Sequence, residues 1–309
     1  MNRTVNFLRL LFNRSFLGCL LLAGTTVELD AQSNNRGSTI SPNGNTYAVV
    51  IGISNYQSKG IRKLRFANRD AEEFAGYLQS VNVPAANIRL LTDSLATTAA
   101  IYEALDWLLE TCGENDVVYF YFSGHGDMEN TTIYKLGFLL AQNTPRNNFI
   151  NNALRIEDLN NVANTLSVEN KAKVILITDA CHSGKLTGAE NKGKFLVGEQ
   201  LRKAQRNEIR ITSCGADELS AENEEWGGGR GVFSYYLVNG LKGLAEKQTD
   251  GFITLQEIKT FLDSSFANDA VLAKEKHQQN PVIPVSGSNA GFRLAKLDTS
   301  LLNTAIAQV

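Results

Sequence analysis

The chain contains few of the residues that mark specialised classes of protein. Its 309 residues include only five prolines, four cysteines, three histidines, two methionines and two tryptophans. Four cysteines cannot build a disulfide framework in a chain this long, and five prolines exclude collagen-like or proline-rich disorder. An excess of one charge is also missing, because 30 basic and 32 acidic residues leave a net charge of −2. This balance gives no general electrostatic case for binding nucleic acid.

What is present is an ordinary globular composition, 43% hydrophobic and 20% charged, in which apolar runs alternate with amphipathic stretches. Continuous apolar runs rich in β-branched residues predict strands over 46–53, 87–93, 116–122, 173–178 and 209–213, with a last edge strand over 291–295. Helical spacing of apolar residues predicts helices over 67–81, 97–112, 155–166, 233–244 and 254–266. This alternation predicts an α/β fold with a mostly parallel central sheet and helices on both faces.

The first thirty residues have the order of a secretory signal peptide. Three arginines precede an apolar run over 16–24, and Leu29-Asp30-Ala31 resembles a small-residue cleavage site. The run is shorter than the ~20 apolar residues that cross a bilayer. We therefore expect a signal peptide over 1–31, a polar linker over 32–45, and export to the periplasm or the extracellular space with no membrane anchor left. An uncleaved anchor or an unstructured leader is the alternative.

Two predicted strands end in glycine-containing turns with side chains suited to catalysis. His125 lies in YFSGHGD and Cys181 lies in ITDACHSG. Ligands of open parallel sheets bind at the carboxyl ends of the strands, where a thiol and an imidazole together make a nucleophile and its base. Each residue alone has an ordinary explanation, a turn histidine or a small buried hydrophobe. Their joint occurrence at corresponding strand ends predicts a His125/Cys181 dyad.

These motifs are very similar to the His and Cys motifs of the caspase-like cysteine peptidases (clan CD, peptidase family C14), especially metacaspases and bacterial proteins with a caspase p20 domain. The resemblance runs from about Tyr47 to Leu244 and includes Asn68-Arg69-Asp70-Ala71 and the segment 211–237. It implies a caspase-like three-layer fold. The implied peptidase domain covers 46–297, divided into a p20-like part (46–186), a flexible loop (187–207) and a p10-like part (208–297), before a C-terminal tail (298–309).

The resemblance also implies a role for each site residue. Cys181 would attack the scissile carbonyl, His125 would protonate the leaving amine, and the backbone N–H groups of Cys181 and Gly126 would hold the oxyanion. Asp70 and Asp179 match the acidic residues that line the S1 pocket of metacaspases. Two carboxylates would bind an arginine or lysine side chain, so the expected activity is cleavage of proteins or peptides after a basic residue.

The residues leave several alternatives open. Asp70 could be a helix-surface carboxylate, and Asp179 could cap a turn. Caspases proper read a substrate aspartate with arginines, and Arg62, Arg65 and Arg69 keep Asp-specific cleavage open. The fold could also serve a catalytically quiet scaffold or signalling protein, or another thiol hydrolase or transpeptidase.

This chemistry requires no cofactor, and the sequence has only partial candidates for calcium. Many metacaspases bind Ca²⁺ through an acidic cluster, and Glu157 with Asp158 resembles part of it. A second candidate is the segment 246–257, which approximates an EF-hand loop. Within it, Thr254 and Glu257 also have the spacing of a helix capping box, and we favour that interpretation.

Two loops near the predicted site have two interpretations each. The segment 185–206 carries six basic residues, so it is either a self-cleavage site or a solvated loop. Trp226, in the glycine-rich stretch 225–230, either walls the cleft and stacks on substrate or anchors a flexible loop to the core.

Overall fold

The computed structural model of the chain describes residues 44–129, 132–180, 197, 200–201, 208–215 and 218–308. The predicted signal peptide, most of the predicted linker and Cys181 lie outside these residues. None of the described helices combines the length and the apolar character that crossing a bilayer requires.

Short apolar runs form the strands, and amphipathic stretches form the helices. The strands are β1 (Thr46–Gly52), β2 (Ile88–Thr92), β3 (Val117–Ser123), β4 (Gly126–Met128), β5 (Gly137–Leu139), β6 (Leu154–Arg155), β7 (Lys173–Asp179), β8 (Glu208–Thr212), β9 (Glu222–Asn223), β10 (Arg230–Gly231), β11 (Phe252–Thr254) and β12 (Arg293–Lys296). The helices are α1 (Ala67–Ser80), α2 (Thr98–Thr111), α3 (Ile156–Asn164), α4 (Val232–Asn239), α5 (Leu255–Ala267), α6 (Ala270–Glu275) and α7 (Thr299–Ile306). Single π-helical turns, Thr165–Glu169 and Gly240–Leu244, continue α3 and α4.

Five strands form a parallel sheet in the order β2-β1-β3-β7-β8. Side chains along a strand alternate between its faces, so Val50 of β1 joins one core cluster and Val49 joins the other. The first cluster includes side chains of α1, α4 and α5, and the second includes side chains of α2 and α3. The predicted α/β architecture, a central sheet with helices on both faces, is confirmed.

The register of the sheet brings the ends of its central strands level. Ser123, the last residue of β3, pairs with Gly52 of β1 on one side and with Asp179 of β7 on the other. The residues that follow β3 and β7 therefore begin at one edge of the sheet, where ligands of such folds bind.

The last edge strand predicted over 291–295 forms, but not at an edge of the central sheet. It forms as β12 and pairs antiparallel with β11 in a separate two-stranded sheet. Beside the end of β8 lies Val282, which makes an antiparallel bridge to Thr212. The segment expected to be a C-terminal tail, 298–309, contains the helix α7, and the Asp298 side chain caps the N-terminus of this helix.

Candidate active site

Backbone hydrogen bonds join the turn that holds His125 to the end of β7. The Gly124 N–H donates to the carbonyl of Asp179 at 3.0 Å, and the Gly126 N–H donates to the carbonyl of Ala180 at 2.9 Å. Ala180 immediately precedes Cys181 in the sequence. Cys181 itself lies outside the described residues. The fold therefore brings the two motif turns together up to the residue before the predicted nucleophile.

His125 is fully buried and held from two sides. Its backbone N–H donates to the Tyr56 hydroxyl at 2.7 Å, and the Tyr56 ring packs on the imidazole with centroids 5.1 Å apart. Its Nε2 lies 2.7 Å from the carbonyl oxygen of Arg62. Because a carbonyl only accepts, Nε2 carries the proton, and Nδ1 is the basic nitrogen of the neutral ring. Sequence reasoning missed Tyr56, since no motif spacing marks it.

Glycine at position 126 eases the close approach of the backbone around His125 to the end of β7. A Cβ atom there would lie 3.1 Å from the Ala180 carbonyl oxygen. The Gly126 N–H, which the resemblance implies as an oxyanion donor, is already engaged by that carbonyl. A substrate oxyanion would therefore have to replace the Ala180 carbonyl at this N–H.

The two carboxylates expected in the S1 pocket converge on Gly231. A Cβ atom at Gly231 would lie 2.9 Å from Oδ2 of Asp70 and 3.3 Å from Oδ2 of Asp179. Both aspartates are buried, and the Ser220 hydroxyl donates to Oδ1 of Asp179 at 2.5 Å. These two buried carboxylates form an acidic site at the end of β7, which we call the Asp70/Asp179 recess.

Arg230 already occupies one side of this recess. Its Nε donates to Oδ1 of Asp70 at 2.8 Å, and the Gly231 N–H donates to the same carboxylate at 3.1 Å. Burial raises the pKa of Asp70 to about 7, and the nearby charge of Asp179 adds to the rise, while the guanidinium of Arg230 opposes it. The recess therefore accommodates a guanidinium, supplied by the chain itself. No motif in the sequence predicts this ion pair.

The three arginines considered for reading an acidic substrate have other contacts. The carbonyl of Arg62 binds His125, as described above, and its side chain is exposed. Arg65 forms an ion pair with Glu224 at 2.5 Å, and Arg69 donates to the carbonyl of Gly228 at 2.8 Å. These last two contacts fasten the loop between β9 and β10 to the start of α1.

Trp226 lies in the core, only 3% exposed. Its indole N–H donates to Oδ2 of Asp269 at 2.9 Å, and the same oxygen accepts from the Tyr236 hydroxyl at 2.7 Å. Both contacts favour the interpretation of Trp226 as an anchor of its loop. The three glycines that follow, Gly227–Gly229, have φ of 59°, 75° and 118°. Residues other than glycine rarely adopt this backbone conformation.

Two of the residues considered for calcium, Asp158 and Glu257, have protein partners. The Tyr102 hydroxyl donates to Asp158 at 2.6 Å, and Glu157 is exposed in the first turn of α3. Thr254 and Glu257 form the predicted capping box, which is confirmed. Within the described part of the chain, no group of three or more His, Cys, Asp and Glu side chains is arranged to hold a metal ion.

Comparison with known proteins identifies the family. The family model of the caspase domain, which represents peptidase family C14, matches residues 45–289 of this chain. The chain is 36% identical over 90 residues to metacaspase-1A of Aspergillus oryzae, covering 27% of this chain and 21% of that protein. It is 27% identical over 159 residues to metacaspase-1A of Aspergillus terreus, covering 46% of this chain and 36% of that protein. The chain thus spans only a fifth to about a third of these relatives.

A crystal structure of a protein from Geobacter sulfurreducens aligns with a TM-score of 0.57 at 16% identity, over 82% of this chain and 100% of that one, and shares its fold. The matched residues 45–289 contain the central sheet and both motif turns. This chain therefore belongs to the caspase-domain family of peptidases, family C14.

Proposed function

We propose that this chain is a cysteine endopeptidase that cleaves after arginine or lysine, with Cys181 as the nucleophile and His125 as the acid and base. The hydrogen bond from the Gly126 N–H to the Ala180 carbonyl carries the proposal. It joins the residue after His125 to the residue before Cys181, which supports the proposal that the two groups act together at one edge of the sheet.

The chemistry follows acyl transfer. Nδ1 of His125 takes the proton of the Cys181 thiol, the thiolate bonds to the scissile carbonyl carbon, and the carbonyl π electrons move to oxygen. The tetrahedral intermediate collapses, the C–N bond breaks, and His125 gives the proton on Nδ1 to the leaving amine. Water, deprotonated by Nδ1, then attacks the thioester; the C–S bond breaks, and the Cys181 sulfur takes the proton back from Nδ1. A positioned acid and base of this kind accelerates such steps by ~10²–10⁴-fold.

The preference for a basic residue rests on the Asp70/Asp179 recess. Two buried carboxylates bind a cationic side chain more tightly than a neutral one, and arginine can be bound bidentately. Arg230 on Asp70 is an internal example of the proposed contact. The same guanidinium also supports a second candidate, cleavage after an acidic residue that Arg230 would bind.

A fluorogenic peptide panel with Arg, Lys, Gln or Asp at P1 tests the proposal. We expect the Arg and Lys peptides to be cleaved fastest, and Cys181→Ala and His125→Ala to abolish cleavage. Fastest cleavage after Asp would establish the second candidate, and full activity of Cys181→Ala would contradict the proposal.

Two controls separate neighbouring activities. Wild type but not Cys181→Ala should react with a thiol-reactive peptide inhibitor, which a quiet scaffold would not do. An added amine acceptor should not enter the product, as it would in a transpeptidase. We also propose that activity needs no calcium, so a chelator should leave the rate unchanged.

We further propose that residues 1–31 direct export. N-terminal sequencing of the mature protein should then begin at Gln32, and a full-length chain retained in the cell would contradict this.

A further inference from the structure

Gln279 belongs to none of the motifs found in the sequence, yet it is buried beside the predicted site, 3% exposed. Its Oε1 accepts from the Ala221 N–H at 2.8 Å, and its Nε2 donates to the carbonyl of Ser213 at 2.9 Å. Both ends of the amide are therefore in use. They connect the residue that follows β8 to the loop that leads into β9.

The Gln279 amide binds Ala221, and the residue before Ala221 is Ser220, the hydrogen-bond partner of Asp179. The Ser220 hydroxyl, which donates to Asp179 at 2.5 Å, lies 2.7 Å from Oγ of Ser213 and 3.5 Å from Nε2 of Gln279. Gln279 thus binds Ser213, whose hydroxyl contacts that of Ser220, and Ala221, which follows Ser220 in the chain. A chain of contacts therefore runs from Gln279 through Ser220 to the Asp179 carboxylate.

The segment that carries Gln279 is itself fixed to the sheet and to the loop. Thr212 and Val282 exchange backbone hydrogen bonds of 3.1 and 2.9 Å. The Asn280 N–H donates to the Glu218 carboxylate at 2.7 Å, and Nε2 of His277 lies 2.7 Å from the Leu219 carbonyl. These contacts hold the start of the loop, whereas Gln279 reaches Ser220 and Ala221.

We propose that Gln279 is a positioning residue for substrate recognition. It fixes residues 218–221 so that Ser220 holds the Asp179 carboxylate in the orientation that binds the P1 side chain. The inference rests on the proposed role of Asp179 in the S1 pocket. An amide is required because the site needs an acceptor and a donor at once, which neither methionine nor glutamate supplies.

The test compares P1 selectivity in Gln279→Met, which keeps the volume and removes both hydrogen bonds, with that in Ser220→Ala. We expect the ratio of kcat/KM between the Arg and Gln peptides to fall roughly fivefold in each, as loss of one positioning hydrogen bond predicts. The fall should appear in KM, with kcat and the labelling of Cys181 by a thiol-reactive inhibitor little changed. Asp179→Asn should lower the same ratio.

Asn170→Leu is the matched control. The Asn170 amide donates to the carbonyls of Leu109 and Cys112 at 3.1 and 2.8 Å, so this variant removes a comparable clamp away from the recess. It should lower the Tm and leave the P1 profile unchanged.

A Gln279→Met profile identical to that of wild type, with a lowered Tm, would overturn the proposal and leave Gln279 a structural residue. If Gln279→Met does not fold, an unchanged profile in Ser220→Ala has the same meaning. A wild type that prefers acidic or neutral P1 residues would refute basic specificity instead. In that case the role of Gln279 is still decided by whether Gln279→Met shifts the wild-type profile as Asp179→Asn does.

Discussion

Tyr56 positions His125 through two separable contacts. Its hydroxyl accepts the backbone N–H of His125, and its ring packs on the imidazole. Both residues are buried, so an N–H that loses this acceptor has no water to replace it. Leaving such a donor unsatisfied costs about 1–3 kcal/mol.

Tyr56→Phe should therefore lower kcat about tenfold, the rate equivalent of ~1.4 kcal/mol, with KM little changed because the ring contact remains. Kinetics on an Arg peptide measure this. Tyr119→Phe is the control, since the Tyr119 hydroxyl donates to the Leu294 carbonyl, which belongs to β12. Equal kcat values in the two variants would show that the Tyr56 hydroxyl does not act through His125.

Asp70 should make stability depend on pH. Burial raises its pKa from 3.8 to about 7, so the folded chain holds this proton more tightly than the unfolded chain does. The contribution of Asp70 to stability is therefore complete below about pH 4 and is lost as the pH rises towards 7. The free energy of unfolding in urea, measured from pH 4.5 to 8, should fall less steeply in Asp70→Asn than in wild type. Parallel curves would mean that the Arg230 ion pair keeps Asp70 ionised throughout.

The start of α5 shows how one carboxylate can organise a whole element. Glu257 accepts from the backbone N–H of Thr254 at 2.9 Å and from those of Lys247 and Gln248 at 2.9 and 3.1 Å. Although burial opposes it, these hydrogen bonds hold the pKa of Glu257 below its ordinary value. A carboxylate that accepts so many N–H groups has little capacity left for a cation.

Glu257→Gln should destabilise the fold by about 1–2 kcal/mol, because one of the two oxygens that accept these hydrogen bonds becomes an NH₂ donor and the acceptor charge is lost. Thermal unfolding with and without Ca²⁺ distinguishes the capping box from an EF-hand. We expect the same difference in Tm between wild type and variant in both conditions. A Ca²⁺-dependent rise in Tm that wild type shows and the variant lacks would favour the EF-hand.

The elements that the sequence predicts are those long enough to show a period. Seven-residue strands such as β3 and β7 contain continuous apolar runs, 117–122 and 174–177, and were predictable. Strands of two or three residues, such as β6 and β10, are too short for any alternation to be visible. Such short strands form because they pair with strands elsewhere in the chain. The pairing of β12 with β11 likewise depends on the packed fold.

At the candidate active site, too, some features follow from sequence motifs and others only from the packing of the whole molecule. The sequence predicts that His125 and Cys181 lie together, because strand ends of a parallel sheet share one edge. Arg230 could not be assigned to Asp70, since 160 residues separate them and only the packed fold brings them together. Ser220 and Gln279 reach Asp179 and its loop in the same way. Sequence motifs thus predict the proposed chemistry, whereas the groups that tune the recess depend on tertiary packing.

The contacts across the expected p20-like and p10-like parts predict that a cut between them will not separate them. Strand β7 of the first part pairs with β8 of the second from Val174 to Thr178. The Asp70–Arg230 ion pair is buried across the same boundary, and Lys242 binds Glu73 at 2.7 Å. Apolar side chains of α1 and α4 also share one core cluster. Because all these contacts lie outside the segment 187–207, cutting that segment removes none of them.

A site for a specific protease placed within 187–207 tests this. After cutting, denaturing gels should show two fragments, while size-exclusion chromatography in native buffer should show one species with the elution volume of the uncut chain. Arg230→Ala in the cut protein should lower the urea concentration at which the fragments separate, because it leaves Asp70 buried without its guanidinium. The unmodified chain treated with the same protease is the control. Separation of the fragments in native buffer would show that covalent continuity, and not the shared sheet and core, holds the two parts together.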